Sequence, residues 1–332
     1  MQKEPKAPAH SPCLGCAEKR QASQRARQQS AEFPTLAKPK WLKVKYNPGA
    51  TREVVELMNH YQLNTVCKEA NCPNLGECYS RRTATFMILG EQCTRSCRFC
   101  NVLSGRPAPP DPAEPEHLAA AAKTLGLLHV VVTSVTRDDL PDGGASQFVA
   151  VVEALRRELP QATIELLIPD LRGRWEALET ILAAGPDVLN HNVETVPELY
   201  HEIRPQAIYE RSLEVLSRAA DYAAEHPLPR GRMLVKTGLM LGLGESDEQL
   251  SRVFRDLVAH RVDVLTLGQY LQPSPQHAPV RRYVSPEEFD RYREEALAAG
   301  LSFVAAAPFV RSSYRAEEAL AQVRAESSAP AN

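Results

Sequence analysis

Thr85-Phe86-Met87-Ile88-Leu89-Gly90 leads, after two residues, into Cys93-Thr94-Arg95-Ser96-Cys97-Arg98-Phe99-Cys100. The first segment is an apolar run with the length of a buried strand, so it delivers the cysteine loop at its C-terminal end. Three thiols separated by three and then two residues can converge on one soft metal centre, and no fourth ligand stands in the run. Thiolates favour iron–sulfur clusters or zinc. A structural zinc site closes its tetrahedron with a fourth Cys or His, whereas a cluster held by three thiolates keeps one iron open for a small molecule. Phe99, directly before the last thiol, reads either as an aromatic packed over such a cluster or as a core residue.

Downstream the chain alternates. Beyond a proline-rich link from Pro107 to Pro115, Glu116 to Leu125 reads as helix and His129 to Thr133 as strand. Phe148, Val152, Leu155 and Leu159 recur at helical spacing and share one face. Strand signals return at Ile164 to Ile168, Asp187 to Asn190, Met233 to Lys236 and Val264 to Leu267, with helices between them. Thr195 with Glu198, Ser246 with Gln249, and Ser285-Pro286 with Glu288 each fit a capping box. Six strand–helix alternations imply a parallel sheet with right-handed crossovers, hence a barrel or a doubly wound sheet. Ligands gather at the C-terminal strand ends of such folds. The segments there are polar: Thr133-Ser134-Val135-Thr136-Arg137-Asp138-Asp139, Asn190-His191-Asn192-Val193-Glu194, Lys236-Thr237-Gly238 and Gly268-Gln269-Tyr270.

A chain of 332 residues, 43% of them hydrophobic, can bury a large core and has room for one α/β barrel or two average domains. A formal net charge of -2 gives no globally basic surface for nucleic acid. The longest apolar run, Leu125 to Val135, contains His129 and is too short to span a bilayer. No cleavable apolar segment opens the chain. Eight Cys stand at 13, 16, 67, 72, 78, 93, 97 and 100. Without a secretion signal they read as reduced thiols and metal ligands rather than a disulfide framework, which places the chain in a reducing compartment, the bacterial cytoplasm. Glu4, Glu18 and Glu32 speak against a mitochondrial transit peptide.

Residues 1 to about 35 are rich in Gln, Ala, Ser, Lys and Arg and read as a mobile arm. Its Cys13-Leu14-Gly15-Cys16 pair has no further free Cys to complete a metal site and stays outside the mechanism. From Pro39-Lys40-Trp41-Leu42 the composition turns globular, and Glu53 to Leu63 suits a short amphipathic helix. It leads into Cys67-Lys68-Glu69-Ala70-Asn71-Cys72-Pro73-Asn74-Leu75-Gly76-Glu77-Cys78. Pro73 and Gly76 favour a turn that folds these three sulfurs together. Three Cys within twelve residues, beside a second triplet, point to metal ligation, in keeping with another cluster.

The Cys93 loop resembles the signature of the radical S-adenosylmethionine (SAM) enzymes. In that superfamily the open iron is chelated by SAM, and one electron from the reduced cluster releases a 5′-deoxyadenosyl radical. The preceding triplet, together with Arg137-Asp138-Asp139-Leu140, Asn190-His191-Asn192, Gly242-Leu243-Gly244-Glu245, Gly268-Gln269-Tyr270-Leu271-Gln272-Pro273 and Arg311-Ser312-Ser313-Tyr314, is similar to the lipoyl synthase family from about Pro39 to Ala316. The resemblance implies an α/β fold: a partial (βα)6 TIM-like barrel of the radical SAM type over 85–306. An arm over 1–38, an auxiliary-cluster extension over 39–84 and a C-terminal extension over 307–332 complete it. It also implies a sulfurtransferase that inserts two sulfur atoms at C6 and C8 of a protein-bound octanoyl-lysine.

Two 4Fe-4S clusters follow from the same resemblance. Cys93, Cys97 and Cys100 hold the SAM-binding one. Cys67, Cys72 and Cys78, with Ser313 as fourth ligand, hold the auxiliary one that is sacrificed for its sulfur. Implied partners are octanoylated carrier domains (glycine cleavage H protein, 2-oxoacid dehydrogenase E2), a ferredoxin or flavodoxin type reductant, and a cluster-assembly or carrier protein. Without the resemblance, Ser312 and Ser313 read as caps of a helix over 316–321. For SAM the expected contacts are Ser134, Asn190, Asn192, Glu194 and Lys236. Carboxamides and a carboxylate suit ribose hydroxyls and ammonium, and a lysine suits the methionine carboxylate. Gly143-Gly144 is followed by Ala145 rather than an acid, so no SAM contact is assigned there.

Other readings are a radical SAM enzyme acting on biotin precursors or RNA, a zinc-stabilised binding module and an electron-transfer ferredoxin. The spacing of the first triplet counts against the first of these. A ferredoxin's four-thiolate pattern is absent.

Overall fold

The computed structural model describes residues 36–42, 51–70, 72–80 and 84–313. The arm with Cys13 and Cys16, Tyr314 and the helix expected over 316–321 lie outside the described residues. The strands are β1 (Asn64–Thr65), β2 (Thr85–Ile88), β3 (Gln92–Cys93), β4 (Leu103–Ser104), β5 (His129–Ser134), β6 (Thr163–Leu167), β7 (Val188–Asn190), β8 (Leu234–Leu241), β9 (Val264–Gln269) and β10 (Phe303–Ala306). The helices are α1 (Arg52–His60), α2 (Val66–Glu69), α3 (Leu75–Ser80), α4 (Glu114–Leu125), α5 (Ala145–Glu158), α6 (Trp175–Ala183), α7 (Tyr200–Ile203), α8 (Tyr209–Glu225), α9 (Asp247–Ala259) and α10 (Pro286–Ala299).

One sheet runs β1-β2-β5-β6-β7-β8-β9-β10. Every pairing from β2 to β10 is parallel, and only β1 lies antiparallel, with Asn64 opposite Met87. β3 and β4 pair separately, beside the cysteine loop. The parallel strands read as near-continuous apolar runs because both faces are covered: all of β2, β7 and β9 is buried. Helices return the chain after each strand, so all C-terminal strand ends fall on one side of the sheet.

The expected six alternations are present, and β10 adds a seventh parallel strand. Phe303-Val304-Ala305-Ala306 is too short and too alanine-rich to stand out in sequence. β8 runs on to Leu241, past the expected end at Lys236. Gly238 interrupts its apolar pattern for a steric reason. A Cβ there would lie 2.6 Å from Thr266 Oγ1, 2.9 Å from Asn192 Oδ1 and 3.0 Å from Ser312 Oγ.

Helix termini follow the chemistry of orphan amides. Ser246 with Gln249 and Ser285 with Glu288 form complete capping boxes on α9 and α10, each cap being worth about 1 kcal/mol. Gly126 ends α4 in the left-handed region at φ 67. The box expected at Thr195 does not form. Val196 takes the cap position of a single turn over Pro197–Leu199, and the Thr195 hydroxyl is buried without a hydrogen-bond partner.

Backbone in the left-handed region concentrates at the C-terminal strand ends. Leu89 (φ 70) and Gly90 (φ 95) follow β2, Leu171 (φ 48) and Arg172 (φ 55) follow β6, and Glu194 (φ 65) follows β7. Such strain persists where the surroundings over-determine it, and it clusters at functional sites. Among the described residues no helix is long and apolar enough to cross a membrane.

Candidate active site

A clamp fixes the Cys93 loop where it leaves β2. The buried Glu114 carboxylate, at the start of α4, accepts the Leu89 amide with both oxygens (3.1 and 3.0 Å) and the Gln147 amide at 2.9 Å. A second anchor holds the loop from below. Arg95 lies between Cys93 and Cys97. Its Nε and Nη2 donate to Asp138 at 2.8 and 3.0 Å, and Nη2 also donates to Asp170 at 2.6 Å. The loop's far side is tied down by Arg98 N to Ile203 O (2.9 Å) and by His277 Nε2 with Cys100 O (3.0 Å).

Cys93 Sγ accepts two backbone amides, Thr136 N at 3.3 Å and Arg95 N at 3.4 Å. Burial pushes the Cys100 thiol up to about 12, with Cys97, Cys93 and Glu194 adding to it. Burial also raises Cys97, while the Arg204 guanidinium draws it down. Loss of the proton from Cys97 or Cys100 is thereby disfavoured, and a bound cation would offset the charge. Phe99, half-buried, packs against Ile203, Leu243, Tyr270, Ala278 and Val280.

The second triplet is tied together through the backbone. Thr65 accepts Lys68 N at 3.3 Å and so caps α2, which carries Cys67. Cys72 N donates to Cys67 O at 3.0 Å, and Cys78 N to Asn74 O at 2.9 Å. Burial lifts the Tyr79 hydroxyl to about 12, and Cys67, Cys78 and Cys72 all contribute. Burial raises Cys67 to about 11, with hydrogen bonding from Thr85 opposing it.

The C-terminal segment reaches both triplets. Ala307 N donates to Leu267 O and Gln269 N to Pro308 O, each at 3.2 Å, which lays residues 307–313 across the end of β9. A Cβ on Gly268 would meet Val310 O at 2.1 Å, so glycine permits this approach. Asn74 Nδ2 donates to Phe309 O at 2.7 Å, tying the segment to the first triplet's loop. Burial lowers the pKa of Arg311, and the charge of Cys72 opposes that shift. The adjacent serines then part. Ser313 Oγ accepts the Thr85 hydroxyl at 2.7 Å, whereas Ser312 Oγ accepts Asn192 Nδ2 at 2.7 Å. Phe86, next to Thr85, pairs with Thr65, the cap of the helix that carries Cys67, so Ser313 lies on the side of the first triplet and Ser312 faces the polar loop after β7.

That loop gathers three of the five expected SAM contacts. Asn192 Nδ2 donates to Glu194 Oε1 at 3.1 Å, and Glu194 acts on both Cys97 and Cys100. Asn190, wholly buried, donates to Glu165 Oε1 at 2.9 Å and leaves its Oδ1 unpartnered. Ser134, at the end of β5, has a buried hydroxyl without a partner.

Lys236 departs from the expectation. Its ammonium donates to both oxygens of Glu165 at 3.0 and 2.9 Å, and the side chain is 2% exposed. Burial works against the Glu165 charge, but Lys236, His129 and Asn190 hold its pKa down at about 2. The lysine is thus neutralised inside the sheet and supports Asn190 rather than offering a free cation.

A buried cation beside this loop is Arg204. Nη1 donates to Asn192 O, Val193 O and Tyr200 Oη at 2.9, 3.2 and 3.2 Å, and Nε is buried without a partner. Nothing in the sequence marked it.

His191, between the two asparagines, holds Ile168 O through Nδ1 at 2.8 Å. Burial and the nearby Arg204 press its pKa down from 6.5 to about 4. The folded pKa lies below the unfolded one, so stability is complete above pH 6.5 and falls as pH drops toward 4. By pH 5 the loss amounts to about 2 kcal/mol. Urea unfolding of the metal-free chain at pH 7 and pH 5 measures it. His191→Asn is expected to remove most of the difference, and an unchanged difference would assign it to other groups.

The donor set fits iron–sulfur clusters. Six thiols, Cys67 buried and the other five half-buried, stand on two short stretches, and Cys93 carries amide donors to its sulfur, which lower the charge density on a thiolate. Unpartnered buried atoms on Ser134, Asn190, His191 and Arg204 face a polar ligand's needs, because such atoms are normally satisfied.

Comparison with known proteins decides the family. Residues 87–257 match the Radical SAM superfamily model. A lipoyl synthase of Alkaliphilus metalliredigens is 53% identical over 284 residues, covering 85% of this chain and 96% of the relative. The chain belongs to the lipoyl synthase family. Another lipoyl synthase, from Caldanaerobacter subterraneus subsp. tengcongensis, is 50% identical over 87% of this chain and 99% of its own length. Among solved structures, Streptococcus suis SuiB bound to precursor peptide SuiA aligns with a TM-score of 0.51 at 12% identity, over 86% of this chain and 60% of that one. HydG, a maturase of the [FeFe]-hydrogenase, aligns at 0.50 and 13%, over 92% and 78%. At such identities the likeness concerns the fold, and that fold is the partial barrel expected of a lipoyl synthase. Membership of a radical SAM family brings a 4Fe-4S cluster and SAM with it.

Proposed function

We propose that this chain converts a protein-bound octanoyl-lysine to lipoyl-lysine by inserting sulfur at C6 and C8, using two clusters with separate roles. Cys93, Cys97 and Cys100 hold the SAM-binding cluster. Cys67, Cys72, Cys78 and Ser313 hold the auxiliary cluster, within an extension over 39–84 that works with residues 307–313 against the barrel of 85–306. When bound, the reduced first cluster supplies the electron that cleaves SAM, and the auxiliary cluster supplies the sulfur.

The protein's own groups bind and orient. Amide donors to Cys93 and the Arg95–Asp138 and Arg95–Asp170 pairs fix the loop. Asn192, Glu194, Asn190 and Ser134 offer hydrogen bonds to SAM, with Arg204 as the cation for its carboxylate and Lys236 behind Asn190. The substrate is the octanoyl chain of a glycine cleavage H protein or a 2-oxoacid dehydrogenase E2 domain. A ferredoxin or flavodoxin type protein supplies electrons, and a cluster carrier rebuilds the auxiliary site in a reducing bacterial cytoplasm.

One observation carries the reading. Residues 307–313 touch both sites at once, through Thr85 and Asn74 on one side and Asn192 on the other. Such a bridge is what an acyl chain needs if it is to meet a radical and a sulfur donor in succession. Iron and acid-labile sulfide per chain after anaerobic reconstitution test it. Wild type is expected to hold roughly eight of each and a Cys67, Cys72, Cys78 triple alanine variant roughly four, as two four-iron clusters require. Equal contents would remove the auxiliary cluster and the sulfur source with it.

A further inference from the structure

Thr85 opens β2, is 7% exposed, and lies between two groups that the proposed auxiliary site brings together. Its hydroxyl donates to Ser313 Oγ at 2.7 Å, and its neighbour Phe86 pairs with Thr65, the cap of the short helix that carries Cys67. A buried threonine hydroxyl commonly returns its proton to a nearby backbone carbonyl; here it is aimed across 228 residues of sequence at another hydroxyl. β2 is the first barrel strand, paired with both β1 and β5, so Thr85 is a rigid reference point. Ser313, by contrast, stands near the end of the described chain.

We propose that Thr85 is a positioning residue for Ser313: it sets the serine oxygen toward Cys67 and supports that oxygen while it serves as a metal ligand. The inference rests on the reading of Ser313 as the fourth auxiliary ligand. A serine oxygen bound to iron carries negative charge, and a hydrogen bond to a charged acceptor is roughly twice as strong as one to a neutral hydroxyl. Thr85 therefore favours the ligated state over the released one. Losing the hydroxyl is expected to speed ligand release by about fivefold, the factor that corresponds to such a difference in hydrogen-bond strength.

The test uses the full chain with Cys93, Cys97 and Cys100 replaced by alanine, so that only auxiliary iron is read. This parent is reconstituted anaerobically, and the rate of iron transfer to a coloured chelator is followed. Thr85→Val keeps the volume and suits a strand, Thr85→Ser keeps the hydroxyl, and Ser313→Ala removes the ligand itself. Expected are about fivefold faster loss for Thr85→Val, parental rates for Thr85→Ser, and loss at least as fast as Thr85→Val for Ser313→Ala. Thr85→Ala is read alongside, in case valine's second methyl disturbs packing, and is expected to lose iron at least as fast as Thr85→Val. Parental rates for both Thr85→Val and Thr85→Ala, with faster loss in Ser313→Ala, would overturn the role of Thr85 and leave Ser313 a ligand. Fast loss in Thr85→Ser would assign the effect to packing and overturn it too. Parental rates in Ser313→Ala would remove Ser313 from the site and the inference with it.

Discussion

Cys97→Ala is expected to end SAM cleavage, and Cys72→Ala to leave cleavage running while ending lipoyl formation. The two thiols are similar in one respect, since burial raises the pKa of both. Their neighbours separate them. Cys97 feels the charges of Arg204, Glu194, Cys93 and Arg95, which belong to the Cys93 loop, the polar loop after β7 and the end of α7. Cys72 is coupled to Arg311, on the segment that ends at Ser313. Removing one of three thiolates leaves an iron without a protein ligand, and the loss exceeds the 10- to 100-fold typical of outer-shell changes. 5′-Deoxyadenosine formation in Cys97→Ala is therefore expected to drop by roughly a hundredfold or more. In Cys72→Ala that product should persist while an octanoylated carrier gains no sulfur by mass. Lipoyl product from both variants at equal rates would sink the division of labour between the triplets.

The barrel was legible because its strands had no polar face to hide. β2, β5, β6 and β9 each read as a short apolar run, since helices or the core cover both sides. β10 escaped because four residues with two alanines carry little hydrophobic signal, and β8 was cut short at a glycine whose reason is tertiary, the crowding by Thr266, Asn192 and Ser312. The cysteines stood out by spacing, because thiols close in sequence need little chain to bring them to one centre.

Ser313 could not be separated from Ser312 by spacing, and only the resemblance chose it. Adjacent residues in an irregular segment point in directions that packing decides, here Thr85 for one and Asn192 for the other. Lys236 and Arg204 show the same limit for charge. A lysine at a strand end looks available until a carboxylate two strands away, Glu165, is found against it. The one hint was Glu165 itself, a charge inside the run Ile164-Glu165-Leu166-Leu167.

Asp170→Ala is expected to lower stability by about 3 kcal/mol, the low end of the cost of breaking a buried ion pair, and to loosen iron bound at the Cys93 loop selectively. Asp170 is fully buried, beyond the end of β6. Its carboxylate accepts Arg95 Nη2 at 2.6 Å, Arg211 Nε at 2.9 Å and Arg172 N at 3.1 Å. Burial alone would favour the neutral acid, yet the Arg95 pair holds its pKa well below the usual carboxylate range. With the folded pKa depressed, this stabilisation is present above about pH 4 and is lost as pH falls below it. Alanine leaves the Arg95 side chain, only 4% exposed, with one counterion, Asp138, in place of two. That surviving pair is why the low end applies.

The backbone around Asp170 adds to the effect, because Leu171 and Arg172 are held in the left-handed region and the carboxylate's bond to Arg172 N helps hold them there. Arg95 lies between two of the loop's thiols, so slack at its guanidinium becomes slack between Cys93 and Cys97. Urea unfolding of the metal-free chain measures the first effect, and chelator-driven iron loss the second. In Asp170→Ala the iron at the Cys93 loop should leave faster while the iron at Cys67, Cys72 and Cys78 keeps its wild-type rate. Equal acceleration at both sites would mean that the fold as a whole has loosened. Stability within about 0.5 kcal/mol of wild type, the range of neutral surface changes, would mean that Asp138 alone anchors Arg95.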